Sequence, residues 1–404
     1  MKRSPFAIIL AACIFFLFNC SDSSIDNQTE SYINSDKEIT NESEENTAKV
    51  KKLAEFINDA VLDGNTNKYL SKFDLDYFTD KLVSSLNMSS RKKAGFAEGL
   101  KKGITTFPKE IMSYVEKGAL YEAINCRFDT SKNAYFMLFR IYSEESGINY
   151  HDYRVSKIGN DFMFCDMYIY LTGENISQTM QRMVMNSMPS NKLLEILKPE
   201  KKEDFNKIVA AGKFMKTGQY EEAYTKYNSL EGSMKDEKFT LIMKSQAASM
   251  FSSELYQESM DALIEKYPND NSLSLSFIDY YLLKEDYNKT LEMTNRLKKE
   301  TGDDFLQYMI GNIHYMKKDY NAAKINYKYI MENYEDFHSS YFSYMVCLAK
   351  SKKYKETVAV LNKLSTFDYS KFELIDYVET SEVGIENEFE DFMKSKEYKI
   401  WKKK

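Results

Sequence analysis

The segment KKDYNAAKINYKYI, residues 317–330, follows a pattern that the chain repeats. Lysines and an aspartate precede Tyr320, a small residue follows three positions later, and an aromatic residue comes four positions after that. Five segments of this kind align on the tyrosines Tyr220, Tyr256, Tyr287, Tyr320 and Tyr354. The spacings between them, 36, 31, 33 and 34 residues, indicate a repeated structural unit.

Small residues recur at one position of this unit, three residues after each tyrosine. They are Ala223, Ser259, Thr290, Ala323 and Thr357. Small side chains allow the two helices of a hairpin to approach closely. Because one hairpin cannot bury its own apolar face, the pattern predicts that neighbouring hairpins stack.

The period and the residue types resemble the tetratricopeptide repeat (TPR). The resemblance implies an all-α TPR solenoid of about five helical hairpins over residues 191–371. Only Gly218 supplies the glycine that the family often has before the tyrosine, so the argument depends on the five copies together. An ordinary helical bundle with accidental spacing is the alternative.

Residues 372–404 depart from the repeat and resemble the closing segments of bacterial TPR arrays. We expect a C-terminal capping helix whose apolar residues face inward. They are Phe389, Phe392, Tyr398 and Trp401. The closing lysines suit a helix C-terminus, and a basic contact with a membrane surface is the alternative.

Residues 48–190 have a different character. Val50, Leu53, Phe56 and Ile57 lie at helical spacing, and further helical segments follow. Four runs rich in aromatic and β-branched residues come next, at 119–128, 134–143, 147–158 and 161–171, separated by short turns. The sequence therefore predicts a multidomain chain, with an α+β N-terminal domain of helices plus a four-stranded antiparallel sheet, followed by the solenoid.

Strict alternation along the last strand predicts its two faces. One face would carry Met163, Cys165, Met167, Ile169 and Leu171, and the other Phe162, Phe164, Asp166, Tyr168 and Tyr170. Cys126 and Cys165 could pair across strands or remain buried free thiols.

The order of helices followed by an antiparallel sheet resembles the nuclear-transport-factor-like cone fold. The resemblance implies a ligand cavity in which Asp166 lies beside Tyr168, with His151 as a third polar group. In enzymes of this fold an acid beside a tyrosine can share a proton in an apolar cavity. The alternative is an unclassified α+β domain in which Asp166 pairs with a cation such as Arg154.

The N-terminus has two basic residues and an apolar run from Phe6 to Phe18 before Cys20. This run is too short for a comfortable membrane span and has the proportions of a secretory signal. The ending LFNC resembles a lipobox, although Asn19 departs from the usual small residue. The resemblance implies a signal peptide at residues 1–19 and a lipid anchor, including an acyl chain such as palmitate, on Cys20. A plain secretory signal and an uncleaved anchor are the alternatives.

Residues 20–47 are polar and mostly acidic, which predicts a disordered tether. Ser21 after the cysteine favours the outer membrane, so we expect a lipid-anchored protein of the cell envelope of a Gram-negative bacterium. The formal net charge is -6, which is unfavourable for binding nucleic acid.

The first helix of each hairpin would line the concave side of the solenoid and bind a protein or peptide partner. The candidate partner-binding residues are Met215, Phe251, Tyr308, Asn312, Tyr315 and Phe342. The sequence carries no recognisable catalytic motif, and its three histidines form no metal-binding pair. We therefore expect a non-enzymatic scaffold or adaptor without cofactor or metal. A ligand-binding or enzymatic N-terminal domain and a self-associating scaffold are the alternatives.

Overall fold

A computed structural model describes residues 41–84, 104, 106–144, 146–180, 199–231, 233–268, 270–380 and 387–404. The chain forms two compact units, and the boundary between them falls after Tyr280. The predicted signal peptide, Cys20 and residues 20–40 of the predicted tether lie outside the described ranges.

Among the residues that the structure describes, four helices precede the sheet: α1 (Glu44–Leu62), α2 (Thr66–Leu70), α3 (Leu75–Ser84) and α4 (Thr106–Glu116). The start of α1 differs from the predicted tether, which extended to residue 47. Ser43 accepts a hydrogen bond from the backbone N–H of Asn46, and Glu44 and Glu45 lie in the first turn. The hydroxyl cap and the two carboxylates stabilise the helix N-terminus, so the helix begins within the acidic stretch.

The sheet contains β1 (Leu120–Asp129), β2 (Ala134–Ser143), β3 (Gly147–Ile158), β4 (Asp161–Ile169) and β5 (Glu174–Asn175). The strands pair antiparallel in sequence order, each with the next. The four predicted strands are present, and the two-residue β5 extends the edge. The three cysteines within the described ranges, Cys126, Cys165 and Cys347, are free thiols.

A β-bulge at Cys165 makes the predicted face assignment of β4 wrong. Arg154 lies opposite Asp166, whereas the next residue of β3, Val155, lies opposite Phe164. One extra residue in β4 therefore reverses the alternation, because directly paired residues point to the same face. Phe164 consequently shares a face with Met167, and not with Asp166.

This first face of the sheet, which carries Phe164 and Met167, is covered by helices. Tyr69 of α2 packs edge-on against Phe164 with ring centroids 5.0 Å apart, and Phe73 stacks on the same ring at 4.7 Å. Such ring pairs add to the free energy gained from burial alone. Below, we call this the inner face and the side that carries Asp166 the outer face.

Beyond β5, the described part of the first unit contains α5 (Pro199–Lys216), α6 (Tyr220–Asn228), α7 (Lys238–Ser249), α8 (Ser253–Lys266) and α9 (Ser274–Leu283), which reaches across the unit boundary. Gly173, in the turn after β4, packs against α7: a Cβ there would lie 3.1 Å from Cδ1 of Ile242. This contact joins α7 to the sheet within the first unit.

The second unit contains α10 (Tyr287–Thr301), α11 (Leu306–Met316), α12 (Tyr320–Asn333), α13 (Ser339–Lys350), α14 (Tyr354–Leu364), α15 (Lys371–Glu379), α16 (Glu390–Lys394) and α17 (Lys396–Lys403). Four of the five aligned tyrosines are the first residue of a helix, in α6, α10, α12 and α14. The exception is Tyr256, because Ser252 caps α8 and starts that helix three residues earlier.

The turn before each of these four helices has one geometry. The residue two positions before the tyrosine has positive φ: 73° at Gly218, 55° at Glu285, 62° at Lys318 and 56° at Lys352. The following N–H donates to the carbonyl five residues back, as from Asp319 to His314 at 2.9 Å. This is the bond that closes a helix ending in a left-handed residue, so the turn is a structural repeat that includes non-glycine residues.

The small residues of the repeat are buried. Ala223, Ser259, Thr290, Ala323 and Thr357 are all at most 2% exposed. Their burial agrees with the prediction that they lie where two helices approach closely.

The C-terminal residues complete the core of the second unit. Phe389, Phe392, Tyr398 and Trp401 are buried in one cluster with side chains of α13, α14 and α15, as predicted. The indole N–H of Trp401 donates to Asn362 at 2.9 Å. The segment differs from the single predicted capping helix, since α15 begins at Lys371 and two short helices, α16 and α17, follow it.

Candidate functional site

His151 lies on the inner face of the sheet, in a buried chain of tyrosines. The hydroxyl of Tyr121 is 3.4 Å from Nδ1 of His151 and 2.6 Å from the hydroxyl of Tyr153. The hydroxyl of Tyr69 donates to that of Tyr153 at 2.9 Å. The four side chains thus form a hydrogen-bonded row between the sheet and α2.

Burial governs the ionisation of this row. It lowers the pKa of His151 to about 3, and it raises the pKa of Tyr121 and Tyr153 well above the usual range. An apolar environment disfavours the charged form of each group. At neutral pH the row is therefore uncharged, and its hydroxyls satisfy one another within the core.

Asp166 lies on the outer face, and both oxygens of its carboxylate accept hydrogen bonds. Its Oδ2 accepts hydrogen bonds from Lys81 Nζ at 3.0 Å and Ser177 Oγ at 2.6 Å, and its Oδ1 accepts from the backbone N–H groups of Met167 and Ser177. Buried carboxylates are stabilised in this way by paired charge and hydrogen bonds. Asp166 thus connects β4, α3 and the segment after β5.

The three predicted cavity residues do not come together. Tyr168 is paired with Asp152 and lies on the outer face with Asp166, whereas His151 is paired with Ile169 on the inner face. Burial raises the pKa of Tyr168. A single cavity lined by His151, Asp166 and Tyr168 is therefore incompatible with the pairing of β3 and β4.

Three of the predicted partner-binding residues, Tyr308, Asn312 and Tyr315, lie on α11 of the second unit. Tyr308 is buried and packs edge-on against Phe337 at 4.8 Å, with its hydroxyl 3.2 Å from Ser343 Oγ. Asn312 is half-buried and accepts a hydrogen bond from the hydroxyl of Tyr327 at 2.7 Å. Tyr308 therefore belongs to the packed interior, whereas Asn312 is partly accessible.

Tyr315 and a further predicted residue, Phe342, contact the C-terminal part of the chain. The hydroxyl of Tyr315 donates to Glu388 at 2.7 Å. The ring of Phe342 packs against Tyr377 and Tyr369 with centroids 4.6 and 5.3 Å away. The protein's own residues thus cover part of the predicted partner-binding surface in the second unit.

The remaining predicted residues lie in the first unit. Met215 of α5 is 2% exposed and contributes to the core. Phe251, in the turn between α7 and α8, is half-buried and packs edge-on against Tyr224 at 5.8 Å. Of these two, only Phe251 presents a surface that another molecule can reach.

Sequence reasoning missed Glu388 and Lys350. Lys350 Nζ lies 2.6 Å from Glu388 Oε2, while Tyr315 binds the other carboxylate oxygen. No local sequence pattern predicts this contact, because Glu388 is 73 residues from Tyr315 in the chain. The tyrosine row was also missed, although the alternation of His151 and Tyr153 in β3 places both on one face.

Within the described ranges, no group of three or more acidic, cysteine or histidine side chains is arranged to hold a metal ion. The same part of the chain contains no helix with the length and apolar character needed to cross a membrane. In comparisons with known proteins, no family model and no curated protein matches the chain.

Proposed function

We propose that the chain is a lipid-anchored envelope protein whose helical pairs form a TPR-like array that binds an extended segment of a partner protein. The observation that carries the proposal is the repeated turn before α6, α10, α12 and α14, with its left-handed residue two positions before the tyrosine. A constant turn gives successive helical pairs a constant internal geometry, which is the basis of a repeat array.

The first helices of the pairs provide the binding surface in this proposal. In the second unit Asn312 of α11 and Val346 of α13 occupy the same position of the repeat, eight residues before the aligned tyrosine. Both side chains are half-buried. An amide and an aliphatic group on adjacent first helices suit an extended peptide, because its backbone needs hydrogen-bonding groups and its side chains need apolar contacts.

The proposed anchor is a diacylglyceryl thioether on Cys20, with a further acyl chain on the new N-terminal amine. Each buried methylene contributes about 0.8 kcal/mol, so two or three chains hold a protein firmly on a membrane. The polar segment that follows would keep the folded units within reach of partners near that membrane. Metabolic labelling with an alkyne fatty acid tests the anchor, and Cys20→Ser should abolish the label.

Site-specific photocrosslinking in cells tests the array. A photoreactive phenylalanine analogue at Val346 should give a single partner adduct, and the Asn312→Lys substitution should abolish it. The matched control position is Ile325, which is 72% exposed on the second helix α12 and should give no adduct. An adduct at Ile325 but not at Val346 would assign partner binding to a different surface.

A further inference from the structure

The carboxylate of Glu388 is held at two points by side chains from two helices. Tyr315, near the C-terminus of α11, donates to Oε1 at 2.7 Å, and Lys350, the last residue of α13, lies 2.6 Å from Oε2. A phenol and an ammonium group thus bind one oxygen each. Two such donors define both the position and the orientation of a carboxylate.

The pair remains within reach of solvent. The side chain of Lys350 is 24% exposed and that of Glu388 is 42% exposed. Ion pairs with this exposure have modest strength, because water competes for both partners. Glu388 can therefore be exchanged for another carboxylate without exposing a large apolar surface.

The site lies beside the proposed partner-binding surface. Tyr315 is one turn beyond Asn312 on α11, and Lys350 is one turn beyond Val346 on α13. A peptide that contacts Asn312 and Val346 and continues toward the C-terminal ends of these helices would reach Tyr315 and Lys350.

We propose that Tyr315 and Lys350 form a carboxylate-binding site for an acidic partner segment, and that Glu388 occupies it in the free protein as an intramolecular competitor. This inference rests on the proposed role of the array. It specifies the chemistry of the partner: a glutamate or aspartate side chain, or a C-terminal carboxylate, enters where Glu388 leaves. Because a competitor on the same chain is always present, it lowers the apparent affinity for the partner.

The test measures fluorescence anisotropy of a labelled peptide of alternating glutamate and serine, with the corresponding glutamine–serine peptide as the uncharged probe. Glu388→Ala vacates the site, so it should tighten binding of the acidic peptide by about two- to fivefold, in the range expected for loss of a partly exposed ion pair. The double variant that combines Glu388→Ala with Lys350→Met should lose this gain in affinity. The glutamine peptide should show no change.

Glu332→Ala is the matched control, because Glu332 is also an exposed carboxylate of the second unit and its ion pair is with Lys328 of the same helix, α12. Its affinity for the acidic peptide should equal that of the unmodified protein. The emission of Trp401, the only tryptophan, reports whether the C-terminal core remains folded in each variant. If Glu388→Ala loses this signal, Glu388→Gln replaces it, since the amide keeps the shape and removes the charge.

Equal affinities for Glu388→Ala and the unmodified protein would overturn the inference, as would an equal gain for the glutamine peptide. With either result, a photoreactive group at Val346 would still give the partner adduct if the array binds a partner by other contacts. Conversely, loss of the Val346 adduct together with a normal peptide gain would reject the proposed function and retain a carboxylate site.

Discussion

The ring of Tyr327 lies against the backbone of Gly311 so closely that a Cβ on the glycine would be 2.7 Å from Cε1 and 2.9 Å from Cδ1. Helices α11 and α12 are therefore in near contact at the position where the other aligned segments have larger residues, such as Ile278 and Met345. The absence of a side chain at Gly311 makes room for the large aromatic ring.

Gly311→Ala should destabilise the second unit. Overpacking costs about 1–3 kcal/mol, and the better helix propensity of alanine offsets about 1 kcal/mol of this cost, so we expect the free energy of unfolding to fall by up to about 2 kcal/mol. Urea denaturation followed by circular dichroism measures this change. In a Tyr327→Leu background the same substitution should be neutral or stabilising, and a full loss there would show that the ring is not the cause.

Lys318→Gly should stabilise the protein, because Lys318 adopts a left-handed conformation with φ of 62° that is strained for a residue with a Cβ. Relief of this backbone strain stabilises the folded state by about 1 kcal/mol or more. The greater freedom of glycine in the unfolded chain offsets part of this gain. We expect a gain of up to about 1 kcal/mol, measured as a higher urea midpoint. The neighbouring Lys317 has φ of -66°, so Lys317→Gly should give no gain.

His151 should make the first unit sensitive to acid. Its pKa is about 3 in the folded protein and about 6.5 in an unfolded chain, so the unfolded state binds more protons between these values. The contribution of His151 to stability is thus complete above about pH 6.5 and is lost at about 1.4 kcal/mol per pH unit as the pH falls. Thermal melts between pH 7 and pH 4 should show this slope.

His151→Gln removes the titrating group and should reduce the acid slope, whatever its effect at neutral pH. His338→Gln is the comparison variant, because His338 is half-buried and stacks on Phe367 in the other unit. An unchanged slope in His151→Gln would mean that other groups dominate acid unfolding.

Asp279 should have the opposite pH dependence. The side chain is 5% exposed, its Oδ2 has no hydrogen-bond partner among the described residues, and burial raises its pKa to about 7. Because the pKa of Asp279 is raised in the folded protein, the contribution of this residue to stability is fully present below its unfolded pKa of about 3.9. That contribution is lost as the pH rises to about 7.

Asp279→Asn should therefore raise the melting temperature more at pH 8 than at pH 5, because the amide carries no charge at either pH. The corresponding position of another helical pair holds an amide, Asn312, which supports this choice. Asp80→Asn changes an exposed carboxylate of α3 and should have little effect. A larger gain at pH 5 than at pH 8 would contradict the assignment of a buried, uncharged Asp279.

The helical part of the fold could be predicted because its signals are local and repeated. Tyr287, Tyr320 and Tyr354 each begin a helix, and the small residues that follow are buried. The left-handed turn was less visible, since only Gly218 carries the residue type that such a turn prefers. At Lys318 and Lys352 the turn is imposed by the helices on either side.

The candidate site was less predictable, because its geometry depends on one inserted residue and on distant contacts. The bulge at Cys165 reverses half of β4, which places Phe164 away from Asp166 despite their even spacing. Lys81, which binds Asp166, is 85 residues away in the chain. Alternation in sequence carries no information about a bulge, and single-sequence periodicity carries none about which cation meets a carboxylate.

The dependence of the α13–α15 core on Phe389, Phe392 and Trp401 has a consequence for protein synthesis. A ribosome that has translated only as far as α15 has produced those helices without the aromatic residues that close their core. The apolar surface of these helices therefore remains exposed on the nascent chain until residue 401 has left the ribosomal exit tunnel. During this interval chaperones and proteases would find their best opportunity to act on the protein.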